Sequence, residues 1–99
     1  MRTRLIIGNW KMHKTAEEAV ALVREIAGLL PGDRSVEVVV CPPFTALHAV
    51  SRELEGSGLG LGAQNMHWEK QGAFTGEISP LMLKCAGCTY VIAGHSERR

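Results

Sequence analysis

The chain has 99 residues, 45% of them apolar, with eleven basic and ten acidic side chains and a net charge of +1. That length holds one small domain, that apolar fraction belongs to a globular fold, and the balanced charge excludes a general affinity for nucleic acid, with Arg98-Arg99 a local exception. No stretch approaches the ~18 apolar residues of a membrane span and no signal-peptide pattern opens the chain, so it reads as cytosolic.

The first element is a short apolar strand within Arg4 to Asn9, carried by Leu5-Ile6-Ile7. Gly8 and the tripeptide Asn9-Trp10-Lys11 follow, which puts Asn9 and Lys11 at its carboxyl end. Thr15-Ala16-Glu17-Glu18 matches a capping box and opens a helix. Its apolar set is Ala19, Leu22, Val23, Ile26, Leu29 and Leu30, at helical spacing, and Pro31-Gly32 ends it. Val36 to Cys41 is a second strand, β-branched and nearly continuous, stopped by Pro42-Pro43. Thr45 to Glu55 reads as a helix turning Leu47, Val50 and Leu54 inward, closed by Gly56-Ser57-Gly58.

Leu59 to Ala63 is a third strand with glycines at 60 and 62. Glycine inside a strand marks close approach by another group. From Gln64 to Gly76 the periodicity breaks into a long polar loop containing Gly72-Ala73-Phe74-Thr75-Gly76. Ser79-Pro80 supplies a cap and a first-turn proline for a short helix from Pro80 to about Ala86. Tyr90 to Ala93 is the fourth strand, whose lack of alternation suits cover on both faces. Gly94 turns the backbone, His95 stands at the carboxyl end, and Ser96 caps a following helix. A helix amino terminus beside His95 disfavours imidazolium, so a neutral, hydrogen-bond-donating ring is expected there.

Three cysteines, Cys41, Cys85 and Cys88, form an odd set that suits a reducing compartment. Cys85-Ala86-Gly87-Cys88 is formally C-x-x-C. A redox pair wants its first cysteine at a helix amino terminus, and here the pair falls at a helix end with Gly87 as its stop. A zinc site would need a second paired motif, and none stands at a suitable spacing.

Strands alternating with helices over short connections indicate right-handed βαβ units and a parallel sheet. No G-x-G-x-x-G or Walker loop is present, which removes support for a nucleotide fold. In such folds ligands bind at the carboxyl ends of the strands. Two of the four ends carry Asn9 with Lys11, and His95 with Glu97. If strands one and four curl round a barrel, these four side chains converge. A fixed cation beside a neutral imidazole stabilises negative charge on a carbonyl oxygen, and lysine also suits a phosphate or carboxylate. Glu97 can pair with Lys11, or stand as a solvated carboxylate at a helix start.

Three stretches, Gly8-Asn9-Trp10-Lys11-Met12, Gly72-Ala73-Phe74-Thr75-Gly76-Glu77 and Gly94-His95-Ser96-Glu97-Arg98-Arg99, resemble the triosephosphate isomerase family in order and spacing. Cys41-Pro42-Pro43-Phe44 and Gly62-Ala63-Gln64-Asn65 are similar to it as well. The resemblance implies an α/β fold, the (β/α)8 TIM barrel, with residues 1–99 as the amino-terminal part of one barrel domain. It implies that Lys11 contacts substrate and steadies an enediolate, and that Asn9 positions Lys11 and the substrate oxygens. By the same resemblance His95 is the electrophile that polarises the carbonyl, and Glu97 pairs with the lysine. Thr75, next to Phe74, would be the tip of a loop that enters a neighbouring subunit, making the Gln64–Gly76 segment a homodimer interface. The implied reaction interconverts dihydroxyacetone phosphate and glyceraldehyde 3-phosphate, in glycolysis and gluconeogenesis, with no metal or organic cofactor.

Length departs from the family. An eight-fold barrel takes about 250 residues, and 99 cover its first four strands and three helices. The glutamate base, the lid and the later phosphate-gripping loops are absent, so the chain is expected to need the remaining barrel strands for activity. Alone, it should expose inward-facing apolar side chains from Leu5-Ile6-Ile7 and Val38-Val39-Val40, and unpaired strand edges that favour association. The alternative is a non-catalytic α/β half-barrel module that self-associates through those edges.

Overall fold

The computed structural model describes residues 4–29 and 36–93. Their order is β1 (Arg4–Asn9), α1 (Ala16–Leu29), β2 (Val36–Cys41), a 3-10 turn (Phe44–Ala46), α2 (Leu47–Leu54), β3 (Gly60–Ala63), α3 (Pro80–Cys85) and β4 (Tyr90–Val91). The strands pair in parallel in the order β1-β2-β3-β4, which makes half of a barrel wall. Six register pairs join β1 to β2, from Arg4 with Val36 to Asn9 with Cys41. β3 joins at Val39 with Gly60 and Val40 with Leu61, and β4 at Gly62 with Tyr90 and Ala63 with Val91.

The helix boundaries are set by local chemistry. Thr15 and Glu18 form the reciprocal capping box: Thr15 N donates to Glu18 Oε1 at 3.0 Å and Glu18 N to Thr15 Oγ1 at 3.3 Å. Those bonds hold the Glu18 carboxyl below its ordinary pKa. Ser79 Oγ accepts from Met82 N at 3.2 Å and so caps α3, with Pro80 at its first position. Gly87 ends α3 at φ +97°, donating to Lys84 O, while Cys88 N reaches back to Leu83 O, both at 3.0 Å. That is a Schellman closure, and glycine fits it because a Cβ there would meet Ser51 Oγ of α2 as well as an unfavourable φ.

The main core lies between the sheet and the helices. Val40, Leu61 and Ala63 point to it from the strands, and Ala19, Val23, Leu47, Val50, Leu54 and Leu83 from the helices. Each valine or leucine among them contributes roughly 1.5–3 kcal/mol of burial. Leu47, Val50 and Leu54 take the inward places that their spacing gives them. Leu29 does not, and is 84% exposed. At ~100° per residue it stands roughly 80° from the Ala19 direction, on the flank of the stripe. Leu30 and Pro31-Gly32 lie outside the described residues. Arg24 Nε donates to Glu53 Oε1 at 2.6 Å and ties α1 to α2, an exposed ion pair that solvent and salt screen.

The opposite face of the sheet is held by one side chain. Tyr90 of β4 lies against the Cα positions of Gly60 and Gly62, and its hydroxyl donates to Glu37 Oε1 of β2 at 2.7 Å. The ring therefore crosses β3 and reaches β2. A Cβ on Gly62 would stand 2.6 Å from Cys41 Sγ and 3.3 Å from Val39 Cγ1, and one on Gly60 3.1 Å from Val39 Cγ2. The two glycines are the close approach that the sequence pattern indicates.

Two expectations about exposed surface need correction. Leu5, Ile6 and Ile7 are 46, 55 and 48% exposed, as expected for a strand open on both faces. Val39 and Val40, in contrast, are buried, and Val38 is half-buried. Val40 faces the helices, and Val39 shares the Gly60 position with the Tyr90 ring. β4 is shorter than expected and not covered on both faces: Val91 is 38% exposed and Ala93 is exposed. Among the described residues β4 has a strand on one side only. Ile92 N still extends the ladder by donating to Ala63 O at 2.8 Å.

The cysteines follow from this packing. Cys85 is exposed at the end of α3, Cys88 is half-buried behind Gly87, and Cys41 is buried in the sheet. Burial pushes the Cys41 thiol up to about 11, with a smaller push from Cys88, and burial raises Cys88 too. Both are protonated near neutral pH, which opposes nucleophilic or redox use. With the folded value raised, stability from keeping Cys41 neutral is complete at neutral pH and is lost as pH climbs toward about 11. A thiol reagent near neutral pH should modify Cys85 first and Cys41 only after denaturation. Equal rates at the two sites would contradict the packing.

Gly62→Ala should destabilise the chain by about 1–3 kcal/mol through overpacking against Cys41. Combining it with Cys41→Ala should recover part of that loss, read as the coupling energy in urea denaturation. A Gly62→Ala chain as stable as the parent would refute the close approach.

Candidate active site

Parallel pairing brings the carboxyl ends of β1, β2 and β3 to one rim, because Asn9 is level with Cys41 and Val40 with Leu61. Asn9 ends β1, and its Oδ1 accepts from Lys11 N at 3.0 Å, an Asx turn. Trp10 N donates to Cys41 O at 3.1 Å and carries the β1–β2 ladder one residue past the strand. Gln64, the first residue after β3, then closes the rim. Its Nε2 donates to Lys11 O at 2.8 Å and to Cys41 O at 2.9 Å.

Lys11 sits in the left-handed region, at φ +53°. For a residue with a Cβ that conformation costs roughly 1–2 kcal/mol. The bond from Lys11 N to Asn9 and the bond to Lys11 O from Gln64 each contribute a net ~1 kcal/mol, enough to offset it. The lysine is thus held by both its backbone handles while its side chain stands exposed at the rim. Lys14, at φ +81°, turns the chain again before the capping box of α1. A cavity of about 520 Å³ opens there, lined by Asn9, Trp10, His13, Lys14, Glu18 and Leu22. Its size lies in the range of small-molecule sites.

Asn9 and Lys11 are therefore brought together at one strand end. His95 and Glu97, with the Ser96 cap, lie outside the described residues. Strands β1 and β4 are the two edges of the described sheet, with β2 and β3 between them. Among the described residues no group of three or more His, Cys, Asp or Glu side chains gathers as a metal site would require.

The Gln64–Gly76 segment is not structureless. His67 N donates to Ile78 O at 2.8 Å across its base, and Glu77 N to Phe74 O at 3.0 Å near its tip. Asn65 Nδ2 donates to Glu77 Oε2 at 3.4 Å. The Phe74 ring packs on His67 with centroids 4.1 Å apart, and Trp68 stacks on His67 at 4.5 Å. Thr75 is exposed, and Phe74 is half-exposed. These contacts explain how a long loop with little regular structure keeps one shape.

Gln64 is the residue whose part at the rim the sequence does not disclose. Its position directly after a strand's carboxyl end is the only signal, because its partners are 53 and 23 residues away in the chain.

The family model described as triosephosphate isomerase matches residues 4–99. Triosephosphate isomerases of Pelobacter propionicus and Dictyoglomus thermophilum are 61 and 54% identical over all 99 residues, which cover 39 and 40% of those proteins. The chain therefore spans about two-fifths of the length of these curated relatives. Its fold superposes on the crystal structure of triosephosphate isomerase from Bartonella henselae with a TM-score of 0.88 and 44% identity, over 97% of this chain and 39% of that one. A parallel half-barrel with an asparagine and a fixed lysine closing its first strand, matched along nearly its whole length, belongs to the triosephosphate isomerase family.

Proposed function

We propose that the chain supplies one side of the active site of a triosephosphate isomerase, interconverting dihydroxyacetone phosphate and glyceraldehyde 3-phosphate. The observation that carries this reading is Lys11, fixed by Asn9 and Gln64 at the carboxyl end of β1 in a chain of this family. Removing a proton beside a carbonyl places negative charge on the carbonyl oxygen and forms an enediolate. Lys11 supplies a cation to that charge and to the substrate phosphate, and Asn9 sets its position. His95, neutral before the Ser96 cap, donates to the oxygen and moves the proton between the two substrate oxygens. Glu97 pairs with Lys11. The proton removed from one carbon is returned to the next, so the reaction itself calls for no metal or organic cofactor.

The base that takes the carbon proton, the lid and the later phosphate loops belong to the barrel strands beyond these 99 residues. In this reading residues 1–99 are the amino-terminal part of one barrel domain, working in the cytoplasm in glycolysis and gluconeogenesis. Phe74 and Thr75 meet a second subunit, and the order within the Gln64–Gly76 loop supports that use, since a preformed tip loses little freedom on docking. A second reading, a non-catalytic module that self-associates, draws on one observation: Leu5, Ile6 and Ile7 leave both faces of β1 half-open.

Residues 1–99 alone should show no isomerase activity, and mixing them with a separate chain carrying the remaining strands of a matching barrel should restore it. Activity without the second chain would overturn the need for a whole barrel. No activity in the mixture, with self-association of 1–99 unchanged, would favour the module. In an active mixture Lys11→Ala should lose about 3–4 kcal/mol of transition-state stabilisation, read from kcat/KM. His95→Gln should lose less, because an amide still donates to the carbonyl.

Phe74→Asp and Thr75→Arg should weaken dimers of the completed barrel, seen as a concentration-dependent sedimentation shift. Dimers as tight as the parent's would remove the loop from the interface.

A further inference from the structure

The imidazole of His67 is the middle layer of a stack with Trp68 and Phe74. The Trp68 indole lies on it with 4.5 Å between centroids and 24° between planes, and the Phe74 ring meets it at 4.1 Å and 40°. Rings this close attract one another beyond the area they bury. The His67 backbone belongs to the base of the Gln64–Gly76 segment, because its N–H donates to Ile78 O at 2.8 Å. Phe74 belongs to the tip, where its carbonyl accepts from Glu77 N at 3.0 Å and the exposed Thr75 follows it. The stack therefore ties the tip to the base. Gly72 makes room for it: its φ is +148°, and a Cβ there would stand 2.7 Å from Phe74 Cε2.

The polar part of His67 adds nothing to this arrangement. Its Nε2 is buried and has no hydrogen-bond partner among the described residues, which opposes the fold instead of supporting it. What suits imidazole to this place is its flat ring. From this we infer that His67 is a positioning residue for the subunit interface: through stacking alone it holds Phe74, and with it Thr75, in the shape that meets a second copy of the chain. Its part in docking rests on the dimer reading above; its part in ordering the tip does not. An ordered tip loses little freedom when it docks, so the affinity between copies depends on a ring that is itself half-buried between its neighbours. Phenylalanine at 67 keeps the plane and removes the unpartnered nitrogen, so it should serve as well as histidine or better. Leucine keeps the bulk and loses the plane, so it should not.

Lys70 is exposed between His67 and Phe74 and offers trypsin a cut inside the segment. The test uses residues 1–99, and the same chain completed by a second chain carrying the rest of the barrel. Cleavage after Lys70, followed by mass spectrometry, should be about threefold to tenfold faster in His67→Ala and His67→Leu than in the parent. That factor is the one expected for a lost aromatic pair. His67→Phe should be cut no faster than the parent. In sedimentation of the completed barrel the dimer Kd should rise by a similar factor in His67→Ala and His67→Leu, and not in His67→Phe. Unchanged cleavage in His67→Ala, or parent-like cleavage in His67→Leu, would overturn the inference. Weaker dimers in His67→Phe would overturn it too, because docking would then use the nitrogen and not the plane. Should the variants not fold, the Phe74 ring protons of the parent decide: shifts moved upfield by a neighbouring ring support the stack, and random-coil shifts overturn it. A completed barrel that stays monomeric would sink the dimer reading, and cleavage after Lys70 would still decide the part played by His67.

Discussion

Parallel pairing in register is the constraint from which the rest of the molecule follows. With Asn9 opposite Cys41 and Val40 opposite Leu61, successive strands end at one level, and everything polar that leaves a strand end arrives at the same rim. Backbone groups at such ends have lost their ladder partners and must find others. Trp10 N and Gln64 Nε2 both donate to Cys41 O, and that shared carbonyl joins β1, β2 and β3 where the sheet stops. The lysine that the family reading needs is fixed as a by-product of satisfying these groups. The strain at Lys11 is affordable because both its backbone groups are partnered.

The two faces of the sheet are solved differently. The helix side is a conventional apolar core, in which α1, α2 and α3 cover Val40, Leu61 and Ala63. The other side has few covering elements, and a single tyrosine spans it. Gly60 and Gly62 remove the side chains that would hold the Tyr90 ring off β3, and Glu37 anchors the hydroxyl. The phenol's hydrogen bond to that carboxylate raises the Tyr90 pKa above its ordinary value. This arrangement buries Val39 and Cys41 without help from further strands. It reaches no farther than β2, so on that face Leu5 and Ile7 of β1 stay half-open.

What the sequence discloses is what depends on near neighbours in the chain. The Thr15–Glu18 box, the Ser79–Pro80 start and the Gly87 stop are each set within a few residues, and each is found where its motif stands. The strand–helix alternation is equally local, and with the handedness of βαβ units it yields the parallel order. Long-range pairings are not legible in this way. Tyr90 to Glu37 and Gln64 to Lys11 each span 53 residues, and no spacing rule announces either. Leu29 belongs to the helically spaced apolar set, yet helix geometry puts it on the flank of the stripe. The packing of the Phe74 ring on His67 leaves no periodic trace in the sequence either. Of the candidate site, Asn9 and Lys11 were legible as residue types at a strand end, whereas the clamp that holds them was not.

The distribution of unsatisfied surface shows which parts of the fold are self-sufficient. Where an element has its neighbours on both sides, as β2 does, Val39, Val40 and Cys41 are buried and the Cys41 carbonyl is shared. Where it has one, as β1 and β4 do among the described residues, apolar side chains remain half-open. A cavity of about 540 Å³ lined by Met66, Leu83, Cys88, Tyr90 and Val91 lies along β4 and α3, and Pro80 adds to its wall. Both open places are at sheet edges, and neither is at the rim that carries Asn9, Lys11 and Gln64. Edge openings ask for more strands and helices of the same kind, since only those can supply backbone pairing and apolar cover together. At the rim Lys11 N, Lys11 O and Cys41 O are paired by Asn9, Gln64 and Trp10 with Gln64, and the side chain of Lys11 stands exposed. Among the described residues the open sheet edges and the rim are thus formed by separate residues, Leu5, Ile6 and Ile7 on one side and Asn9, Lys11 and Gln64 on the other.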